Sequence, residues 1–387
     1  MKQQEVIHSV AHLLDDAKIP YTIVEEAALR VQGIELDCAT IKVLVQWDVF
    51  SACYELFSEA SRSAIEKTAA SAEFTVPFEG ASLQIFCLFN TTVRTDPYRI
   101  QENGIWCRSL YSYLYGADYS AYKTEIVQFL HNKQQALTKQ NKQAWNQNNY
   151  QALLARYGEP EEIAKKIIQN PEWRLYPFGK YMKDLKGKKV LHLLGSNGVK
   201  ATAMGLLGAD VTVVDFSQEN ARFAEDLARA AEVDIHYVVS DVFSLPVNEM
   251  QAEYDYVLME LGVLHYFITL EPLMQLIRGM LAPKGKFILH EFHPISTKLI
   301  TSTGKKHKVT GNYFAPELTY QNVAFSKHLP DGVQEELIQT VHRKWTIGEL
   351  VTSVAASGLR METLEEEPNH KLHDIGLPKT YTLVAAK

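Results

Sequence analysis

Gly195 and Asp215, about twenty residues apart, and His265 with Tyr266 are the residues whose types and spacing could do chemistry. A glycine just after a buried strand lets the backbone approach a ligand, and an acid that far downstream, at the end of the next strand, receives ribose hydroxyls. His265 follows a later apolar run, and an imidazole that titrates near neutral pH suits proton removal or substrate contact. His290 and His293 follow a further run in the string HEFHP, which could equally be a structural strand end. These residues describe a nucleoside held beside a group that can handle a proton.

The frame that must position them is legible around the glycine. In KKVLHLLGSNGVKATAMGLLGADVTVVDFS, residues 188–217, Val190 to Leu194 predict a strand, Gly195 to Gly198 a turn, Val199 to Leu207 a helix, and Val211 to Val214 a second strand ending in Asp215. The string lacks a full G-x-G-x-x-G, so a dinucleotide pyrophosphate has a poorer seat here than a nucleoside without phosphates. A helix, QENARFAEDLARAAEV, and a strand, DIHYVVSD, ending at Asp241 come next. A fourth strand from Tyr254 to Met259 runs into Glu260, Leu261, Gly262, Val263, Leu264, His265 and Tyr266. A helix through Leu273 to Leu281, a Pro-Lys-Gly turn and the strand KFILHEF follow. At the chain's end TIGELVTSVAASGL predicts a helix with Thr346 as its cap and Gly358 as its stop, and Arg360–Glu366 and Thr380–Ala386 read as a strand pair.

From about residue 145 to the end, this succession resembles a class I S-adenosylmethionine-dependent methyltransferase. The resemblance implies an α/β fold: a Rossmann-like seven-stranded sheet with an antiparallel last strand, preceded by a smaller α/β domain. It implies S-adenosyl-L-methionine as cofactor, with Gly195, Ser196, Asn197 and Gly198 as its turn. Asp215, Phe216 and Asn220 would then serve the ribose side, Asp241 and Val242 the adenine edge, and Glu260, Leu261 and Gly262 the segment after the fourth strand. The family's first strand and turn usually read as an acid, an apolar residue and G-x-G-x-G. Here His192 stands where the acid near the methionine amino group often is, and Leu194 and Ser196 replace glycines. His265, Tyr266 and His293 are the catalytic candidates. The Asn/Asp-Pro-Pro-aromatic string of many nucleic-acid amino methyltransferases is absent after the fourth strand, which favours a small-molecule acceptor.

The chain has 387 residues, 46% apolar and 22% charged, more than one core usually holds, and its net charge of −7 gives no general attraction to nucleic acid or anionic membrane. Three segments are expected: an α/β domain over 1–120, a helical connector over 121–150 rich in Gln, Asn and Lys, and the methyltransferase-like domain over 151–387. The four cysteines, Cys38, Cys53, Cys87 and Cys107, match no zinc spacing and read as reduced core residues. With no stretch apolar enough to span a bilayer, a cytoplasmic protein is expected. In the first domain an opening helix, YTIV, EAALRVQGI, IKVLVQWD, a helix to about Ser61 and strands around Phe74 and Leu83–Phe89 resemble the small nucleotidyltransferase fold. A mixed α/β domain of another kind is the alternative. Glu25 and Glu26 occupy that family's glycine-pair place, and Thr40 and Lys42 its metal-acid positions; two carboxylates repel a triphosphate and a lysine cannot ligate magnesium.

Trp145, Tyr150, Trp173 and Tyr176 precede the first sheet strand and could cover the cofactor or simply pack a helix. An insertion over about 293–344 carries Lys305, Lys306, His307 and Lys308, and is read either as an anion-attracting substrate cap or as a solvated hairpin. The basic tract leaves RNA or a protein substrate open. The rival functions are a catalytically silent S-adenosylmethionine-binding sensor or scaffold, and a nucleotidyltransferase with an accessory Rossmann-like module.

Overall fold

The computed structural model describes residues 2–114, 121–245, 253–303, 306–334, 336–369 and 376–387; Lys305 lies outside them. Contacts divide the chain into two units, residues 1–131 with 314–316, and residues 132–313 with 317–387. The helix Lys123–Trp145 crosses that division.

The first unit is a seven-stranded sheet built from β1 (Tyr21–Val24), β2 (Thr40–Val45), β3 (Glu66–Lys67), β4 (Ser71–Phe78), β5 (Ala81–Leu88), β6 (Arg99–Glu102) and β7 (Ile105–Arg108), in the order β3-β4-β5-β2-β1-β7-β6. The helix Lys2–Asp16 buries Ile7, Val10 and Leu14, a three- and four-residue spacing that gives one apolar stripe for the core. All four cysteines are buried and free. After β1, Glu25 adopts a left-handed conformation with φ 56°. Its carboxylate sits 2.5 Å from the Lys42 amine, and the Tyr122 hydroxyl donates to Glu26 at 2.7 Å. That corner holds an internal ion pair between the start of the helix after β1 and the adjacent strand β2.

The second unit contains a sheet of β8 (Lys189–Leu193), β9 (Asp210–Asp215), β10 (His236–Val239), β11 (Tyr254–Glu260), β12 (Leu281–Phe292) and, after an insertion carrying β13 (Ile300–Thr303), β14 (Lys306–Val309), β15 (Leu318–Gln321) and β16 (Thr340–Arg343), the closing pair β17 (Arg360–Pro368) and β18 (Pro378–Ala386). The order is β10-β9-β8-β11-β12-β18-β17, with β8 to β12 parallel and β18 antiparallel to both neighbours. Strand order therefore reverses between β8 and β11, the place where open α/β sheets leave a crevice. Helices cover the sheet, so its central strands are buried continuously, as at Val211 to Asp215 and Val257 to Met259. Thr346 caps the helix Ile347–Ala356 in a capping box with Glu349, and Gly358 follows with φ 81°.

One expected turn is not a turn. Pro283, Lys284 and Gly285 lie inside β12, where the ladder to β11 shifts register between Tyr254 and Tyr256. Lys284 takes φ 66°, and a Cβ on Gly285 would stand 2.7 Å from the Tyr254 carbonyl, so the close backbone approach turns what reads as a chain reversal into a strand irregularity.

Candidate active site

The β8 turn keeps the geometry that glycines would supply, though two of its residues carry side chains. Leu194 has φ 52° and Ser196 φ 48°, left-handed values that cost a side-chain-bearing residue roughly 1–2 kcal/mol each. Backbone and side-chain bonds hold them there: the Leu194 amide donates to the Val214 carbonyl at 2.7 Å, the Ser196 amide to Asp215 Oδ2 at 3.2 Å, and the Tyr237 hydroxyl to the Ser196 carbonyl at 2.7 Å. Gly195 and Gly198 serve packing. A Cβ on Gly195 would lie 2.6 Å from Val213 Cγ1, and one on Gly198 2.5 Å from Ala224 Cβ.

Asp215 ends β9 against this turn, buried at 7% exposure. Burial pushes its carboxyl up to about 6, opposed by bonds from the Ser217 amide at 2.8 Å, Asn220 Nδ2 at 3.4 Å and the Ser196 amide. A carboxylate has about four acceptor sites, so room remains for hydroxyl donors. Asn220 touches Asp215 without reaching the cavity, and receives the Asn149 amide at 2.6 Å.

A cavity of about 930 Å³ opens at the crevice, at the upper end of the usual small-molecule range. Gly195, Ser196, Asn197, Asp215, Phe216, Glu260, Leu261, Gly262, His265 and Tyr266 all line it. Asp241 and Val242 do not; with Leu194, Asp215, Phe216 and Tyr266 they wall an adjoining space of only about 10 Å³, room for one water. Gly198 lies behind the turn. His293 is also outside: its Nε2 pairs with Glu366 Oε1 at 2.6 Å and its Nδ1 accepts from the Ile295 amide, so it fastens the β12 end. His290 is buried against Thr382 Oγ1 at 3.0 Å and plays a similar part.

His192 is fully buried and does not line the cavity. Burial, and then the Lys200 charge, push its imidazole down to about 3, so it is neutral and cannot replace the acid expected in its place. The carboxylate beside it is Glu260, one strand over: Oε1 lies 4.0 Å from His192 Nε2 and Oε2 3.7 Å from Lys200 Nζ. Burial raises the Glu260 carboxyl and Lys200 opposes the rise. Glu291 fixes the following segment, its two oxygens accepting the amides of Gly262 at 2.6 Å, Phe292 at 2.7 Å, Val263 at 2.9 Å and Leu264 at 3.3 Å.

His265 and Tyr266 are positioned from the helix Lys123–Trp145. Gln134 donates to the Tyr266 carbonyl at 3.0 Å and accepts from the Ile268 amide at 2.8 Å, and Trp145 Nε1 donates to the Tyr266 hydroxyl at 2.9 Å. Asn146 then caps the helix Gln218–Ala230 by accepting from the Gln218 amide at 2.9 Å. Of the aromatic cover residues, Trp145, Trp173 and Tyr176 line the cavity; Tyr150 instead packs on Phe223 and donates to Asp226.

The insertion contributes what sequence reasoning missed. Gln321, Asn322, Phe325, His342 and Lys344 line the cavity, whereas Lys306, His307 and Lys308 sit on the β13–β14 hairpin away from it. His342 stacks on His265, ring centroids 3.8 Å apart and planes at 30°. Burial pushes His265 well below its ordinary value, helped by His342 and Lys344, and takes His342 down to about 4. Among the described residues no group of three or more His, Cys, Asp or Glu could hold a metal, and no helix is long and apolar enough to cross a membrane.

Two parts of the cavity fit the sugar and amino-acid ends of S-adenosylmethionine in their chemistry, while the space beside Asp241 and Val242, where the adenine edge was expected, has room for one water. Asp215 can take ribose hydroxyls, Gly195 gives bare backbone, and the Glu260–Lys200 pair complements an amino-acid zwitterion. Residues 193–289 match the family model described as a methyltransferase domain. No curated protein matches the chain. Solved structures that superpose include an S-adenosylmethionine-dependent methyltransferase from Mesorhizobium loti, 18% identical, covering 57% of this chain and 100% of that one with TM-score 0.43. Another from Clostridium acetobutylicum is 15% identical over 56% and 90% of the two chains, TM-score 0.41. The magnesium protoporphyrin IX methyltransferase of Synechocystis with bound S-adenosylhomocysteine is 14% identical over 64% and 97%, TM-score 0.38. The match to a methyltransferase domain over residues 193–289 and the order of the sheet agree with the Rossmann-like α/β fold with an antiparallel last strand expected from the sequence.

Proposed function

We propose that the protein is an enzyme that transfers the methyl group of S-adenosylmethionine to a small-molecule acceptor. The observation that carries this reading is one cavity walled by Asp215, by the Glu260–Lys200 pair and by the stacked His265 and His342, so that seats for a ribose, an amino-acid head and an acceptor lie together. When bound, the cofactor supplies a methyl group already activated on a sulfonium. The chain's own part is to hold the acceptor in line, exclude water and take a proton if the acceptor has one to lose. The buried Trp145 and the exposed Trp173 and Tyr176 line the cavity and are the aromatic residues available to cover a bound cofactor. A small molecule is favoured over nucleic acid because the lysine-rich tract lies off the cavity. A cytoplasmic setting belongs to the same reading, supported by four buried thiols without disulfides.

Isothermal titration with S-adenosylmethionine, S-adenosylhomocysteine and a magnesium nucleotide tests this. Either sulfur compound should bind, and Asp215→Ala should weaken it. Failure of both to bind the wild type refutes the reading, and metal-dependent nucleotide binding would support a nucleotidyltransferase instead.

A further inference from the structure

Three carboxylates line the cavity, and each is already engaged. Asp215 faces the ribose seat, Glu260 pairs with Lys200, and Glu291 is surrounded by four backbone amides. The cation on the acceptor side has no such partner. Lys344 lines the cavity, donates to the Thr297 carbonyl at 2.7 Å, and meets no carboxylate within ion-pair distance among the described residues. Its charge acts on both stacked imidazoles, and neither His265 Nε2 nor His342 Nε2 has a hydrogen-bond partner among the described residues.

This arrangement sorts acceptors by charge. An amine reaches the cavity as an ammonium at neutral pH and would need a carboxylate to replace its water; none is free for it, and Lys344 repels it. An oxygen acceptor is the reverse case, because an ammonium and two imidazoles can receive an oxyanion or a hydroxyl. Six aromatic residues, Trp173, Tyr176, Phe292, Phe325, Trp345 and Tyr381, line the same cavity and suit another ring.

We propose that the acceptor is a planar aromatic hydroxyl compound, bound with its oxygen at Lys344 and the His265–His342 pair and methylated on that oxygen. The inference rests on the methyltransferase reading and adds the acceptor class to it. The hydroxyl proton leaves to water, since burial and the Lys344 charge hold both imidazoles neutral and make them poor bases, and Lys344 stabilises the oxyanion. The oxygen's electron pair then forms the new O–C bond while the C–S bond breaks, its electrons returning to sulfur, so the sulfonium leaves as a neutral sulfide. His342 and Lys344 come from the insertion, which makes that segment the acceptor-selecting part of the domain.

The test uses the full-length protein saturated with S-adenosylhomocysteine, and para-nitrophenol as probe, whose yellow anion reports its own ionisation. The bound phenol should titrate about one unit below the free compound, the lower end of shifts caused by an adjacent opposite charge. Lys344→Met should abolish the shift and His342→Phe should weaken phenol binding at least tenfold, with S-adenosylhomocysteine affinity retained in both as proof of folding. Benzylamine should not compete. The proposal is overturned if the complex does not bind the phenol, binds it with an unshifted titration, or binds benzylamine as tightly. Wild type that binds no S-adenosylhomocysteine refutes the methyltransferase reading itself, a separate outcome.

Discussion

Glu260→Gln is the substitution that best separates this site from a generic nucleoside crevice. His192 is neutral and walled off, Asp215 serves the sugar and Glu291 is bound by amides, so Glu260 is the carboxylate left to receive the methionine ammonium. Replacing it by the isosteric amide exchanges a charge-assisted hydrogen bond for a neutral one. Hydrogen bonds to charged groups contribute about 1.5–3 kcal/mol and neutral ones about 0.5–1.5, so the exchange costs about 1–1.5 kcal/mol, a roughly five- to thirteen-fold rise in dissociation constant. Lys200 also donates to the Arg174 carbonyl, so it keeps a partner and the fold should persist. The assay is a pair of titrations, one with S-adenosylhomocysteine and one with methylthioadenosine, which has the same nucleoside and sulfur without the amino-acid head. The first should weaken by the stated factor and the second should hardly change. Equal losses for both ligands would refute the reasoning, since the carboxylate would then be supporting the pocket and not reading the ammonium.

Burial pushes the Asp215 carboxyl up to about 6, and on the proposed function ribose hydroxyls need its ionised form as acceptor. S-adenosylhomocysteine affinity should therefore fall as pH drops through about 6 and level off above it, and Asp215→Asn should remove that dependence; a wild-type profile flat across the window contradicts it. Glu291→Ala strands four backbone amides, at about 1–3 kcal/mol for each buried one left unsatisfied, so urea denaturation should show a loss of at least about 3 kcal/mol. Ser196→Gly should be neutral or stabilising by up to about 1 kcal/mol, because it relieves a left-handed residue and removes a buried hydroxyl that has no partner among the described residues; a clear drop in melting temperature argues otherwise.

The sheet was readable because its strands are short apolar runs ending in acids at regular intervals, and because Thr346, Glu349 and Gly358 mark the last helix by their chemistry. Other parts carried a signal that was not used. Asn103-Gly104 joins β6 to β7, both residues left-handed at φ 50° and 83°, a dipeptide that marks a tight hairpin. His342 and Lys344 had no local signal at all. Their places depend on Asn141, whose side-chain amide both donates to and accepts from the Val341 backbone two hundred residues away. The basic tract at Lys306 was conspicuous in sequence for the same reason that it lies off the cavity: charged side chains collect where water reaches them. His192 misleads in the opposite sense, since strand alignment gives its position and only the neighbouring strand shows that the carboxylate beside it is Glu260.

The near-closed space beside Asp241 bears on the order of events. Leu194, Asp215, Phe216 and Tyr266 wall both that space and the main cavity, so seating a purine there must move groups that also shape the room for the second substrate. On the proposed function the two ligands should then not enter independently: initial-rate kinetics should show a compulsory sequence, donor first, with S-adenosylhomocysteine competing only against the donor.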